Sequence, residues 1–475
     1  MASAPRAEIT RLFAPRAWIA GAWSSGVLFD VDARGNWSSI KLHTEPAERA
    51  GATFLHGPVL PGLVNAHSHA FQRCIAGLTE RRNASGAGAA DDFWSWRDRM
   101  YSAAKRITPE QMQAIATFLY AELLAGGYTH VCEFHYLHNE LDGKPYAEPA
   151  EMSLALVRAA QATGIGLTLL PTLYMRSGFG ASGLREDQRR FASTPDGLLR
   201  MAERVEREAG SSERINLGLA IHSLRAVDPG ALKELVAGSG QRPLHIHIAE
   251  QTQEVEDCIA YTGQRPIEWL LDHANPGPRW NLVHATHATA HELQGIAQCG
   301  ASVVICPSTE ANLGDGVFDL PGFVAAGGRW AIGSDSHVCR DWAQELQLLE
   351  YSQRLTLRQR NVAARVLGHE SSAAGMFEAA LVGGVQATGC AVGGLAERQR
   401  ADFMVLNANV PALLGLPVDH VLDAMVFAGS AGAVAQTWVA GRCVHSLPAS
   451  APPRTESSAG LTERYRMAMA QLWSA

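Results

Sequence analysis

Between Val59 and Asp335 the chain repeats one texture: a short apolar run, a polar loop, then a stretch whose apolar positions recur every three to four residues. This alternation of strand-length and helix-length periods predicts βα units. One unit is spelled out in full. Thr108 offers an N-cap and Pro109 a first helical position, Met112, Ile115, Leu119 and Leu123 share one face, and Gly126-Gly127 stops the helix just before the apolar run from Tyr128 to Phe134. Eight such runs can be read, at 59–67, 128–135, 165–172, 215–222, 244–248, 281–284, 302–306 and 330–335. Eight βα units predict a (β/α)8 TIM barrel, whose chemistry sits at the C-terminal ends of its strands. His67, His135, His222, His284 and Asp335 close their runs, and Glu250 lies just past the fifth.

The two ends of the chain read differently. Residues 9–56 hold short, partly alternating strands, and the same texture returns at 401–406 and in a hairpin pattern over 434–444. The expectation is a small β-sandwich domain built from both ends, residues 1–58 and 393–447, flanking a barrel over 59–392. Residues 448–475 are expected to form a linker and a terminal helix near 461–472. The small-residue run at 83–90 reads as a mobile loop, either a lid or filler.

Composition narrows the class of function. Hydrophobic residues make up 47% of the 475 residues and charged residues 18%, which excludes disorder as a description of the bulk. A net charge of -7 lacks the basic face that a phosphate backbone requires, so no nucleic-acid partner is expected. The eight cysteines form no CxxC pair and read as buried thiols of a reducing compartment. There is no apolar run long enough to cross a membrane and no apolar secretory core near the N-terminus. No membrane partner and a cytoplasmic location are therefore expected.

The sharpest local signal is Pro61-Gly-Leu-Val-Asn-Ala-His67-Ser-His69. Side chains alternate along a strand, so the two imidazoles project to one side and converge where a cation can bind; alone, they could equally be a hydrogen-bonded pair of barrel histidines. The fifth run, Leu244-His-Ile-His247-Ile-Ala-Glu250, adds an imidazole and a carboxylate three residues later, the sixth ends in His284 and the eighth in Asp335. Singly, Asp335 reads as a helix cap, His284 as a core histidine and Glu250 as a solvated loop residue. Together they supply three nitrogens and a carboxylate suited to a divalent metal, with a Glu and a His to move protons.

This order of motifs closely resembles the amidohydrolase superfamily: HxH after strand one, His after strands five and six, Asp after strand eight. Only four lysines are present, Lys41, Lys105, Lys144 and Lys233, and none lies in a barrel run, so the carboxylated lysine of dinuclear members has no counterpart. His247 and Glu250 instead resemble the mononuclear deaminase branch. The resemblance implies one divalent metal ion, expected to be Zn2+, held by His67, His69, His247 and Asp335. It also implies Glu250, His284 and Asp335 as the catalytic groups; His245 competes with His247 as a ligand, and the HxxE spacing favours His247. A homodimer is expected on the same ground.

A second set narrows the substrate. Gln72, Arg97, Tyr136, His222 and Arg225 stand in segments that resemble superfamily members acting on N-formimino-L-glutamate in histidine degradation. Guanidinium forks bind carboxylates bidentately, so these residues suit a dicarboxylate carrying a formimino group, with Arg99 the decoy for Arg97. The implied reaction is hydrolytic deimination to N-formyl-L-glutamate and ammonia. The alternatives are an aminohydrolase of a purine, pterin or modified nucleoside, and an inactive scaffold of the same fold.

Overall fold

The computed structural model describes residues 10–81, 93–210, 212–429, 432–447 and 458–473. The small-residue run at 83–90 and most of the linker after Pro448 lie outside the described residues.

Eight parallel strands form the barrel: Leu63–Ser68, Tyr128–His135, Gly166–Leu173, a fourth in two pieces, Leu244–Ile248, Trp280–His284, Ser302–Ile305 and Arg329–Ile332. The fourth run breaks into Ile215–Leu217 and Leu219–Ile221. Gly218 makes the break: a Cβ there would lie 2.4 Å from Leu170 Cδ2 and 2.7 Å from the Pro243 carbonyl. Helices cover the outside, and Thr108 caps Pro109–Ala125 by accepting the Gln111 N–H at 3.3 Å. Trp280, Trp330 and Trp342 lie fully buried within the core.

The barrel closes through the segments that carry the first and last chemical motifs. Past the end of strand eight, the Asp335 N–H donates to the His67 carbonyl at 3.0 Å and the His69 N–H to the Asp335 carbonyl at 3.2 Å. Strand one and the loop after strand eight are thus tied in register at the mouth. Gly333 permits this approach, since a Cβ there would meet His67 Cβ at 2.6 Å.

The run read as 59–67 is two strands. Val59–Pro61 pairs antiparallel with Phe403–Leu406 in the second sheet, and only after Gly62 does the chain enter the barrel. Strands from both ends, Thr10–Ile19, Ala22–Val31, Trp37–Lys41, Thr53–Phe54, Val59–Pro61, Phe403–Leu406, Val434–Val439 and Arg442–Ser446, hydrogen-bond into one mixed sheet. Its own core is aromatic, with Trp37 5.0 Å from Phe29 and 5.5 Å from Phe403 between ring centroids.

A buried ion pair fastens this domain to the barrel. Arg400 binds Asp402 with Nε to Oδ1 at 2.9 Å and Nη2 to Oδ2 at 2.6 Å, and Nη2 also donates to His130 Nδ1 on strand two at 2.9 Å. Removing one member of such a pair strands the other charge, so Asp402→Ala is expected to cost about 3–5 kcal/mol. The denaturant midpoint checks this, and an unchanged midpoint would mean the pair is not holding the domains.

The terminal helix, Ser458–Trp473, packs on Pro109–Ala125, with Tyr465 stacked on Phe118 at 4.2 Å. Among the described residues, no helix is long and apolar enough to cross a membrane.

Candidate active site

The residues assigned in the sequence to metal, proton and substrate work lie at the C-terminal mouth of the barrel, whereas their competitors His245 and Arg99 do not face it. His67 is at the end of strand one and His69 just past it; His247 is on strand five, His284 ends strand six, and Asp335 follows strand eight. His67 Nε2 lies 3.1 Å from His69 Nε2 and 3.0 Å from His247 Nε2. Asp335 Oδ1 is 3.2 Å from His69 Nε2 and 3.5 Å from His67 Nε2.

Burial decides what these contacts are. It pushes the His67 imidazole down to about 3 and lowers His69 and His247 as well, so all three rings are neutral near pH 7. Burial alone would raise Asp335, yet its contacts with His67, His69 and His284 hold it below the ordinary carboxylate range. His69 Nδ1 lies 2.8 Å from the Phe134 carbonyl and so carries the ring proton, which leaves Nε2 a bare lone pair facing its neighbours. Three imidazole nitrogens and a carboxylate oxygen crowded this closely cannot all be satisfied by protons. A cation satisfies them, because neutral imidazole nitrogens and a carboxylate oxygen are the donors that a divalent transition-metal ion takes. The donor set therefore fits a divalent metal ion.

The backbone at this mouth is strained. His284, Asp335, His337 and Ala249 have φ of 71°, 44°, 63° and 51°, in the left-handed region that non-glycine residues rarely enter. Hydrogen bonds lock the strained segment in place, His337 bridging Ser68 Oγ at 3.2 Å and Ser334 Oγ at 3.0 Å.

Beside this cluster, His284 Nε2 lies 3.6 Å from Glu250 Oε1 and 3.7 Å from Asp335 Oδ2. Its other nitrogen, Nδ1, lies 3.3 Å from Glu310 Oε1, and that oxygen also accepts the Cys306 N–H at 2.8 Å. Burial opposes a charge on His284, but Glu250, Glu310 and Asp335 outweigh it and raise the imidazole to about 10. Burial raises the Glu250 carboxyl well above its usual range. His284 thus holds a proton near neutral pH, and Glu250, raised to about 7, can give up or take one in a reaction there.

The remaining predicted residues line the cavity in front of this cluster: Gln72, Arg97, Tyr136, His222 and Arg225, with Phe93, Trp96, Met100, Tyr101, Tyr174 and Leu313 completing the wall. Gln72 Nε2 donates to the Tyr136 hydroxyl at 3.1 Å. The Nε atoms of Arg97 and Arg225 are buried without a hydrogen-bond partner, and both guanidinium carbons stand over Trp94, at 4.3 and 5.7 Å from its ring. Arg99 turns away and donates to the carbonyls of Thr79 and Arg81. His245 likewise points outward, to the Ala387 carbonyl at 2.9 Å.

Several residues of the site were not singled out in the sequence. Tyr101, Tyr174 and Gln188 form a hydrogen-bonded trio, with Gln188 Nε2 3.2 and 3.0 Å from the two hydroxyls. Tyr174 directly follows strand three, a position that barrel geometry marks as functional. Glu310 and Asp315 come from the segment after strand seven, Cys306-Pro-Ser-Thr-Glu310-Ala-Asn-Leu-Gly-Asp315, whose carboxylates were the available signal.

The model of the Amidohydrolase family matches residues 59–444. A formimidoylglutamate deiminase of Pseudomonas aeruginosa is 46% identical over 439 residues, covering 92% of this chain and 94% of that protein. An 8-oxoguanine deaminase of the same organism is 27% identical, over 63% of this chain and 64% of its own. Among solved structures, an amidohydrolase from Brucella melitensis superposes with a TM-score of 0.88 at 41% identity, over 98% of this chain and 99% of that one. A zinc-bound adenosine deaminase from Xanthomonas campestris, 20% identical, shares the fold at a TM-score of 0.77 over 98% and 99% of the two chains.

Proposed function

The chain belongs to the amidohydrolase family, and from that premise we propose that it hydrolyses N-formimino-L-glutamate to N-formyl-L-glutamate and ammonia. The observation that carries this reading is the pairing of a metal-ligand cluster with two guanidinium groups whose buried Nε atoms have no hydrogen-bond partner, in one cavity. A buried N–H donor without an acceptor is costly, and a dianionic substrate supplies the missing acceptors. The high identity to a formimidoylglutamate deiminase along nearly the whole chain supports the same choice.

His67, His69, His247 and Asp335 are the residues that would hold the cation, expected to be zinc. Bound there, it would supply Lewis acidity that makes water a competent nucleophile near neutral pH. The protein groups do the rest. Arg97 and Arg225 hold the two carboxylates, Gln72 and Tyr136 complete the hydrogen bonding, and His222 lines the same wall, so that the formimino carbon faces the cluster. Glu250 takes a proton from the attacking water and passes it to the departing nitrogen. His284 donates a hydrogen bond to the oxygen that becomes the formyl group, and Asp335 accepts that oxygen's remaining proton, which goes on to the departing nitrogen so that it leaves as neutral ammonia. The carbon–oxygen bond forms, the carbon–nitrogen bond of the imino group breaks, and ammonia leaves. Histidine degradation, a cytoplasmic location and a homodimeric assembly are further parts of the proposal, resting on family resemblance.

Ammonia release measured side by side on N-formimino-L-glutamate, guanine and adenosine tests the reading. Turnover of the dicarboxylate with neither heterocycle turned over is expected. Turnover of a nucleobase or nucleoside alone would replace the proposal with heterocycle deamination.

A further inference from the structure

Behind the proton-transfer pair lies a carboxylate that the reaction does not use. Asp315 is 5% exposed and sits on the segment after strand seven, held by its own N–H to the Glu310 carbonyl at 2.9 Å. The Gln251 side-chain amide donates to its Oδ1. Its Oδ2 is buried and has no hydrogen-bond partner. One ligand atom each from Glu250, His284 and Asp315 lies within 4.8 Å of the other two, and the Glu250 to His284 edge is 3.6 Å. None of these atoms belongs to the His67, His69 and His247 cluster.

Two carboxylates and an imidazole at such separations need only small side-chain rotations to reach about 2.0–2.2 Å from a divalent ion. Charge favours the same event. Glu250, Glu310, Asp315 and Asp335 gather around the single ring of His284, a crowd of buried carboxyl groups whose oxygens a divalent ion can take as ligands, displacing any protons they hold. Glu250 and His284 line the open cavity, which gives the ion a path. The neighbouring trio of His284, Cys306 and Glu310 is a poorer candidate, because Glu310 Oε1 already faces the Cys306 N–H and His284 Nδ1.

We infer that Glu250, His284 and Asp315 form a second, inhibitory site for a divalent cation such as Zn2+, distinct from the site of the first metal. An ion there occupies both groups that the proposed reaction uses to move protons, so binding stops turnover. The activity readout rests on the proposed reaction; the binding stoichiometry does not.

The test is equilibrium dialysis of the full-length enzyme, already holding one zinc per chain, against rising Zn2+, with bound metal and ammonia release followed together. A second equivalent is expected to bind as activity falls at least about tenfold. Asp315→Asn, which keeps the acceptor for Gln251, is expected to retain the first equivalent and its activity while needing at least about tenfold more zinc for both effects. The inference is overturned if the unsubstituted enzyme stays at one equivalent, or stays fully active with two, or if the variant binds and is inhibited at the same zinc concentration. Should Asp315→Asn lose the first equivalent, dialysis of Glu250→Gln decides: the second equivalent is expected to weaken about tenfold, and unchanged affinity overturns the site. A chain that binds the second equivalent yet never acts on formiminoglutamate would fault the proposed reaction and leave this site standing.

Discussion

Glu250→Gln is expected to lower ammonia release from N-formimino-L-glutamate by about 10²–10⁴-fold while the first metal equivalent stays bound. The amide keeps the shape and the polar contacts of the carboxyl but cannot take a proton from water or return one to nitrogen. Glu250 Oε1 stands 3.6 Å from His284 Nε2, and the nearest backbone tie is the Glu250 N–H to Glu254 at 3.1 Å, which the substitution leaves in place. KM should move little, because the group touches the reacting atoms rather than the carboxylates. Single-turnover ammonia assays with metal analysis of the same sample check this. A variant that keeps both metal and turnover would remove Glu250 from the proton path.

Arg225→Met and Arg97→Met are each expected to reduce kcat/KM for the dicarboxylate by roughly 30- to 5,000-fold, the equivalent of about 2–5 kcal/mol for one partner of a desolvated charge pair. The loss should fall mainly on KM, and the metal content should not change. Both guanidinium groups lie against Trp94, which either substitution leaves unchanged. Methionine retains the apolar stem, so stability should change less than substrate affinity. Steady-state kinetics on N-formimino-L-glutamate and on a formimino compound with one carboxylate distinguish the anchors. Equal losses on both compounds would mean the arginines shape the cavity without reading the second carboxylate.

The clustering of His67, His69, His247 and Asp335 could be read from the sequence because strand ends converge on one rim, while their proposed part as metal ligands came from family resemblance. His67 and His69 share a face by alternation, and strands ending in chemical residues all open onto one rim. Glu250 was legible for the same reason, two residues past the end of strand five. What could not be read depends on contacts between distant segments. The break at Gly218 is set by Leu170 and Pro243, and the transfer of Val59–Pro61 to the other sheet by pairing with Phe403–Leu406, more than 300 residues away in order. Left-handed backbone at His284 and Asp335 has no signal in those residue types; at Asp335 it occurs where the barrel closes. Glu310 and Asp315 face the site from a segment whose path after strand seven is fixed by packing and by the Asp315 N–H to Glu310 carbonyl bond, not by period.

The most direct measurement is the rate of ammonia release before and after the first metal is stripped by a chelator and returned. Activity should fall to background in the stripped chain, climb in proportion to added Zn2+, and peak at about one equivalent per chain. Hydrolysis at the full rate by a chain shown to hold no metal would contradict the proposed chemistry of His67, His69, His247 and Asp335 outright.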